Sequence, residues 1–286
     1  MKRLVCLPAL TAFLSAALLT SAILTSCKSS DCFDHPWKGA TVAYLGDSIT
    51  DPGSVPEGHD WTGQENWHYW GCLQQWLGIK PYVYGVSGQK WCDVVPQAQQ
   101  LLAEHGSDFD AITIFMGTND YIADVPLGQW YDVAPDTMIA ALGYPATEYV
   151  MPRRTPAMDP GTLRGRINIA ISTLKTMYPD KQIVVFTPLH RGYSTFGEQN
   201  IQPDESFPNR IGLYITDYVD VIKEAGNVWG VPVIDLNAVS GLNPMVPEQI
   251  RYFGNPDTDQ LHPNAEGHRR MALTMMYQLL TLPCRF

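Results

Sequence analysis

Short apolar runs alternate along the chain with longer segments whose apolar positions recur every three to four residues. The run 41–45 (Thr-Val-Ala-Tyr-Leu) predicts a buried strand, and 67–77 predicts a helix. Pro81 to Tyr84 begins a second strand, and a helix follows from about Val94 to Glu104. The run from Ala111 to Met116 is almost continuously apolar, the pattern of a strand covered on both faces. From Thr162 to Tyr178, Leu163, Ile167, Ile171 and Leu174 form one helical stripe. Ile183–Phe186 and Val231–Ile234 read as fourth and fifth strands, and Ile211–Ala225 and Asn264–Leu280 as helices. This alternation implies a parallel sheet with helices on both faces. Two long connections, Tyr121–Gly161 and Leu189–Arg210, follow the third and fourth strands. They leave the strands' C-terminal ends, where such sheets place ligands, and loops this long carry function or small elements of their own.

The chain has 286 residues, 45% hydrophobic and 17% charged, which excludes a disordered or multi-span membrane protein and fits a single α/β domain. Lys2 and Arg3 precede an uncharged run from Leu4 to Leu24 that ends in Leu24-Thr25-Ser26-Cys27. A basic head before an apolar stretch is the secretory pattern. The final four residues resemble a bacterial lipobox, in which Cys27 carries lipid and becomes the first mature residue. The expected organisation is a lipoprotein signal over residues 1–27 and one domain over 28–286. Cys27 would anchor that domain to a membrane of the bacterial cell envelope, on its periplasmic or outer side. An uncleaved membrane anchor is the alternative reading of the same run. The net charge is −10, and −12 without the signal, which argues against nucleic acid as a partner.

Four cysteines lie beyond Cys27: Cys32, Cys72, Cys92 and Cys284. An even number in an oxidising compartment permits two disulfides. The expected pairing is Cys72 with Cys92 and Cys32 with Cys284; four buried thiols are the alternative. No Cys-x-x-Cys pair or histidine cluster accompanies them, so no metal is expected.

Four short blocks then stand at or just beyond the ends of predicted strands. Gly46-Asp47-Ser48 follows the first, and a serine there can present its hydroxyl above the sheet if a base and an orienting acid lie near. Gly85-Val86-Ser87-Gly88 follows the second strand, and Gly88 lets a backbone N–H approach a ligand closely. Gly117-Thr118-Asn119-Asp120 follows the third, and the Asn119 amide can donate to a developing oxyanion. Asp259-Gln260-Leu261-His262 lies between the fifth strand and the last helix, and one turn of chain brings carboxylate and imidazole together. Asp257 is a rival to Asp259, disfavoured by its spacing. Each block alone also reads as ordinary turn or cap chemistry, with Asp47 and Asp120 bonding local backbone and Asn264 capping the last helix.

Together, and in this order, the four blocks resemble the SGNH (GDSL-type) hydrolase family across nearly the whole mature chain. The resemblance implies a flavodoxin-like three-layer α/β/α fold around a five-stranded parallel sheet. It implies a catalytic triad of Ser48, His262 and Asp259, with an oxyanion hole from the Ser48 N–H, the Gly88 N–H and the Asn119 amide. No metal or other cofactor is implied. The expected activity is a serine esterase working through an acyl-enzyme on a small-molecule or polysaccharide ester. Similar bacterial proteins include carbohydrate acetylesterases, lipases and lysophospholipases. Deacetylation of carbohydrate O-acetyl esters is therefore the leading expectation. A short-chain lipid or aryl esterase or lysophospholipase is the enzymatic alternative, and a non-catalytic glycan-binding lipoprotein the alternative of another class. Trp61 and Trp130, in loops, are the expected sugar-stacking platforms, while Trp67, Trp70 and Trp76 sit on a predicted helix and read as core. His190, at the end of the fourth strand, is a further candidate for the pocket wall.

Overall fold

A computed structural model describes residues 35–54, 67–141 and 145–286. The signal segment, Cys27, Cys32 and Trp61 lie outside the described residues. In chain order the elements are β1 (Thr41–Gly46), α1 (Tyr69–Leu77), β2 (Lys80–Val83), α2 (Val94–His105), β3 (Ala111–Phe115), α3 (Thr118–Ile122), β4 (Tyr131–Ala140), β5 (Thr147–Pro156) and α4 (Leu163–Met177). They continue as β6 (Gln182–Phe186), β7 (Ser194–Thr195), β8 (Ile201–Gln202), α5 (Ile215–Trp229), β9 (Val233–Ile234), α6 (Leu236–Val239), β10 (Phe253–Asn255), β11 (Asp259–Pro263) and α7 (Ala265–Leu279).

The central sheet has five parallel strands in the order β2-β1-β3-β6-β9, with helices on both faces, the α/β/α arrangement the sequence predicts. Its middle strand shows why continuous apolarity was the right signal. Ile112 and Ile114 of β3 face a core with Val94, Ala98 and Leu101 of α2, Ile167 and Ile171 of α4 and Ile222 of α5. Ala111 and Phe115 face a second core with Tyr69 and Leu73 of α1 and Met271 and Met275 of α7. Alternate residues of one strand thus each find a buried partner layer. The strand order reverses at β1, so the crevice beyond the C-terminal ends of β1 and β3 is the topological switch point of the sheet.

Boundaries moved where tertiary contacts decide them. The helix expected from Ile211 starts at Ile215, because the Asn209 side chain takes up the Ile211 and Leu213 N–H groups in a turn. Trp67 lies before α1, whereas Trp70 and Trp76 pack on the second core as expected. Both long connections hold strands. Tyr121–Gly161 contains the antiparallel hairpin β4–β5, and Leu189–Arg210 contains β7 and β8. The Asp259–His262 stretch, expected as a turn, is strand β11 in a second sheet of order β10-β11-β7-β8.

The expected pairing of Cys72 with Cys92 is corrected: both are free thiols. Cys72 is buried on α1 in the second core, while Cys92 is exposed beside Trp91, which belongs to the first. The sheet separates them. Cys284 is buried and donates to the Pro36 carbonyl, and its expected partner Cys32 lies outside the described residues. Loss of a structural disulfide costs about 2–5 kcal/mol, or several degrees in Tm for a domain of this size. Cys92→Ser is therefore expected to leave the thermal midpoint within about 1 °C of wild type. A drop of several degrees in a calorimetric scan would restore the disulfide.

Candidate active site

β1 ends against a tight turn that lifts Ser48. The Asp47 carbonyl accepts from the Thr50 and Asp51 N–H groups at 3.0 and 2.9 Å, and its carboxylate accepts from the Ile49 N–H at 3.1 Å. Gly46 is required there, since a Cβ would sit 2.1 Å from Thr50 Oγ1. From α2, the buried Gln97 amide clamps Gly46 in both directions, accepting from its N–H at 3.0 Å and donating to its carbonyl at 2.8 Å. Sequence reading had no signal for Gln97, because a polar residue on an amphipathic helix is ordinary until its partner is known.

The loop after β2 is tied to the Ser48 turn by Asp51, whose Oδ2 accepts from the Ser87 N–H at 3.0 Å and its hydroxyl at 2.8 Å. Gly88 holds a φ of +82°, a conformation that disfavours any side chain. Among the described residues neither the Ser48 nor the Gly88 N–H donates to a protein acceptor. Asn119, at the start of α3, gives one amide hydrogen to the Gln89 carbonyl at 2.9 Å, which fixes the side chain and leaves its other N–H to donate. Beside it, Asp120 is fully buried, accepting from the Trp91 N–H at 3.0 Å and from Arg166 at 2.9 Å.

His262 arrives from the far end of the chain. Its Nε2 lies 2.8 Å from Ser48 Oγ, and its Nδ1 lies 2.9 and 3.1 Å from the two Asp259 carboxylate oxygens. Asp259 also accepts from the His262 N–H at 3.0 Å, so one carboxylate holds both ring and backbone. Asp257 is exposed and makes no contact with the ring. Asn264, just beyond, accepts from the Glu266 and Gly267 N–H groups as the cap of α7 and donates to the Arg251 and Phe253 carbonyls. This cap, expected from sequence, also pins the strand that precedes it.

Ser48, Gly88, Asn119, Asp259 and His262 line one cleft of about 360 Å3. Its remaining walls carry mostly hydroxyls and amides, among them Ser54, Ser87, Thr195, Asn200 and Gln202, with Phe196 and Leu261 as the larger apolar groups. Phe196 stands edge to face with the His262 ring at 5.2 Å. Among the described residues the aromatic lining this cleft is therefore Phe196, which sequence reading missed because it lies in a long connection without periodicity. Trp130 is elsewhere: its indole N–H donates to Glu224 at 2.6 Å, Arg164 lies over its ring, and it packs on the first core. His190 is also outside the cleft lining, bonded to Glu205 at 2.6 Å. Its neighbour Arg191 is buried and joins two walls, donating to Thr118 at 3.2 Å and to Gln202 at 2.6 Å.

A flavodoxin-like sheet with hydroxyl, imidazole and carboxylate in hydrogen-bonded series at its switch point defines the SGNH class of hydrolases. The chain belongs to the GDSL-like lipase/acylhydrolase family, whose model matches residues 44–270, and is an ester-bond hydrolase. No curated protein matches it. Among solved structures, a protein from Lactobacillus plantarum is 24% identical with a TM-score of 0.62, covering 85% of this chain and 98% of its own. A possible lipase from Chitinophaga pinensis is 19% identical with a TM-score of 0.57, covering 85% and 99%. These similarities show the shared fold.

Asp47 has an electrostatic role that can be measured. Burial raises its carboxyl to about 7, against the pull of the Ile49 N–H and of His262. The unfolded carboxyl titrates near 3.8, so between about pH 4 and 7 the folded state binds the extra proton. Asp47's contribution to stability therefore falls as pH rises through that window. Asp47→Asn is expected to remove this component, so that its stability relative to wild type improves from pH 4.5 to pH 8 in urea titrations. An unchanged difference across that range would show that the carboxyl does not titrate there.

Proposed function

We propose that the chain deacetylates carbohydrate O-acetyl esters through a Ser48 acyl-enzyme. The observation that carries this reading is the unbroken Ser48–His262–Asp259 series opening onto a cleft walled by polar side chains. His262 takes the Ser48 proton as Oγ attacks the ester carbonyl, while Asp259 holds the ring and balances its charge. The oxyanion is received by the Ser48 and Gly88 N–H groups and the free amide hydrogen of Asn119. The carbon–oxygen bond to the alcohol then breaks, and His262 delivers its proton to the leaving oxygen. Water repeats the sequence on the acyl-enzyme and releases the acid.

The cleft's chemistry supports a small acyl group and a hydroxylated alcohol. Each methylene buried from water is worth about 0.8 kcal/mol, and a long acyl chain collects that only along an apolar channel. Here hydroxyls and amides face the reacting serine, suited to a ring bearing hydroxyls, and the partly exposed Phe196 offers a face for it. The lipobox reading adds that Cys27 anchors the enzyme at the cell envelope, where polysaccharide esters are met.

Ser48→Ala is expected to abolish turnover of acetyl esters and labelling by a fluorophosphonate probe. Asn119→Ala should lower kcat by about 10²–10³ while retaining that labelling. Acetylated xylan or pectin should be turned over faster than lysophospholipid, and p-nitrophenyl acetate at least about tenfold faster than the octanoate, as the small-acyl reading requires. Faster cleavage of the lipid or the octanoate would replace the carbohydrate reading, whereas an active Ser48→Ala would remove the mechanism itself.

A further inference from the structure

The hairpin β4–β5 is an arm without a covering layer. Each strand has ten residues, and all but a few of their side chains are exposed. A lone two-stranded hairpin is marginal in water, so an arm of this length calls for a partner surface. Its root is built firmly. The Asn168 amide donates to the Trp130 and Ala157 carbonyls at 2.9 and 2.8 Å, at the two ends where the hairpin leaves the body.

The arm's two faces differ. In the register of the hairpin, Asp132, Asp136, Met138, Tyr149, Met151 and Arg153 share one face, where Asp136 and Arg153 pair with each other. The other face carries Val133, Ile139 and Val150, which are 61%, 69% and 72% exposed, with Pro135 and Pro152 between them. Its charged residues are Glu148 near the tip and Arg154 near the root, and neither has an ion-pair partner among the described residues. Six residues of strand place them about 20 Å apart, too far to meet within one arm.

The edges of the arm are blunted. Pro135 stands directly opposite Pro152. Two residues without N–H groups cannot exchange ladder bonds, so they occupy a non-bonded position where the missing donors point outward on both edges. Edge-wise addition of another strand is thereby weakened at its centre, and the apolar face is what remains to be covered.

We propose that this face is covered by the same face of a second copy, the two arms stacked antiparallel about a two-fold axis. In that arrangement each tip lies over the partner's root. Glu148 of one arm meets Arg154 of the other, twice, while the valines and Ile139 are removed from water. An isologous contact requires such self-complementarity, and an apolar face with opposite charges at its two ends provides it.

The test is sedimentation velocity of the full chain, kept in mild detergent, over a hundredfold concentration range. Wild type should sediment as a dimer. Glu148→Arg and Arg154→Glu should each weaken the dimer by roughly tenfold or more, through like charges in contact. The double variant, with the charges exchanged, should restore it. Val150→Asp should also dissociate it, and all variants should retain hydrolysis of p-nitrophenyl acetate, which reports an intact fold. A wild type that stays monomeric throughout overturns the proposal, as do single charge reversals without effect or a double reversal that fails to restore the dimer. A monomer whose Val150 face instead binds phosphatidylglycerol vesicles in flotation would assign the face to lipid and also overturn it.

Discussion

Everything this fold does at its cleft depends on one contact: a hydroxyl and an imidazole 2.8 Å apart, joined across 214 positions of sequence. Productive geometry tolerates errors of well under an ångström, so both ends of the chain must be fixed independently. The two ends solve this in the same way, with a side-chain amide bonded to backbone. Gln97 grips both polar groups of Gly46, and Asn264 caps α7 while holding the segment before β11. A single neutral hydrogen bond contributes only about 0.5–1.5 kcal/mol, so neither amide matters chiefly for stability. What each supplies is direction, because an amide that donates and accepts has one orientation that satisfies both.

Buried charge around the cleft follows a division of labour. Asp120 is paired with Arg166 and holds the Trp91 N–H, and Arg191 gives its two terminal nitrogens to neutral oxygens. Asp47 is different, for it is buried without a bonded cation among the described residues, and burial raises its carboxyl to about 7. The charge that pulls it back is on His262.

The sheet, its helices and the order of the blocks were legible because each rests on a local pattern. β3 is continuously apolar since both its faces are covered, and the serine, glycine and asparagine blocks each follow a strand. The second sheet was not legible. β7 and β8 have two residues each, and their pairing with one another and of β7 with β11 is set by tertiary placement rather than by any period. The hairpin was hidden differently: prolines in both strands argue against strand on sequence grounds, yet here they face one another where no ladder bond is lost. Cysteine number could not reveal that a whole sheet lies between Cys72 and Cys92. Trp130 read as an exposed loop aromatic because its partners Glu224 and Arg164 come from helices far along the chain.

The missed second sheet is also what shapes the cleft. Thr195, Phe196, Asn200 and Gln202 come from β7, β8 and their connection, and so belong to the segment after β6 rather than to the parallel sheet. That segment is tied to the one carrying Asn119 by one buried guanidinium, since Arg191 holds Gln202 with one nitrogen and Thr118, the neighbour of Asn119, with another. One residue thus ties the wall formed by the second sheet to the segment that carries Asn119. The hydroxyl beyond β1 and the imidazole on β11 stand 2.8 Å apart, the short antiparallel sheet supplies the side chains beside them, and Arg191 links that sheet to α3, so that the wall of the cleft and the Asn119 segment rest on one buried group.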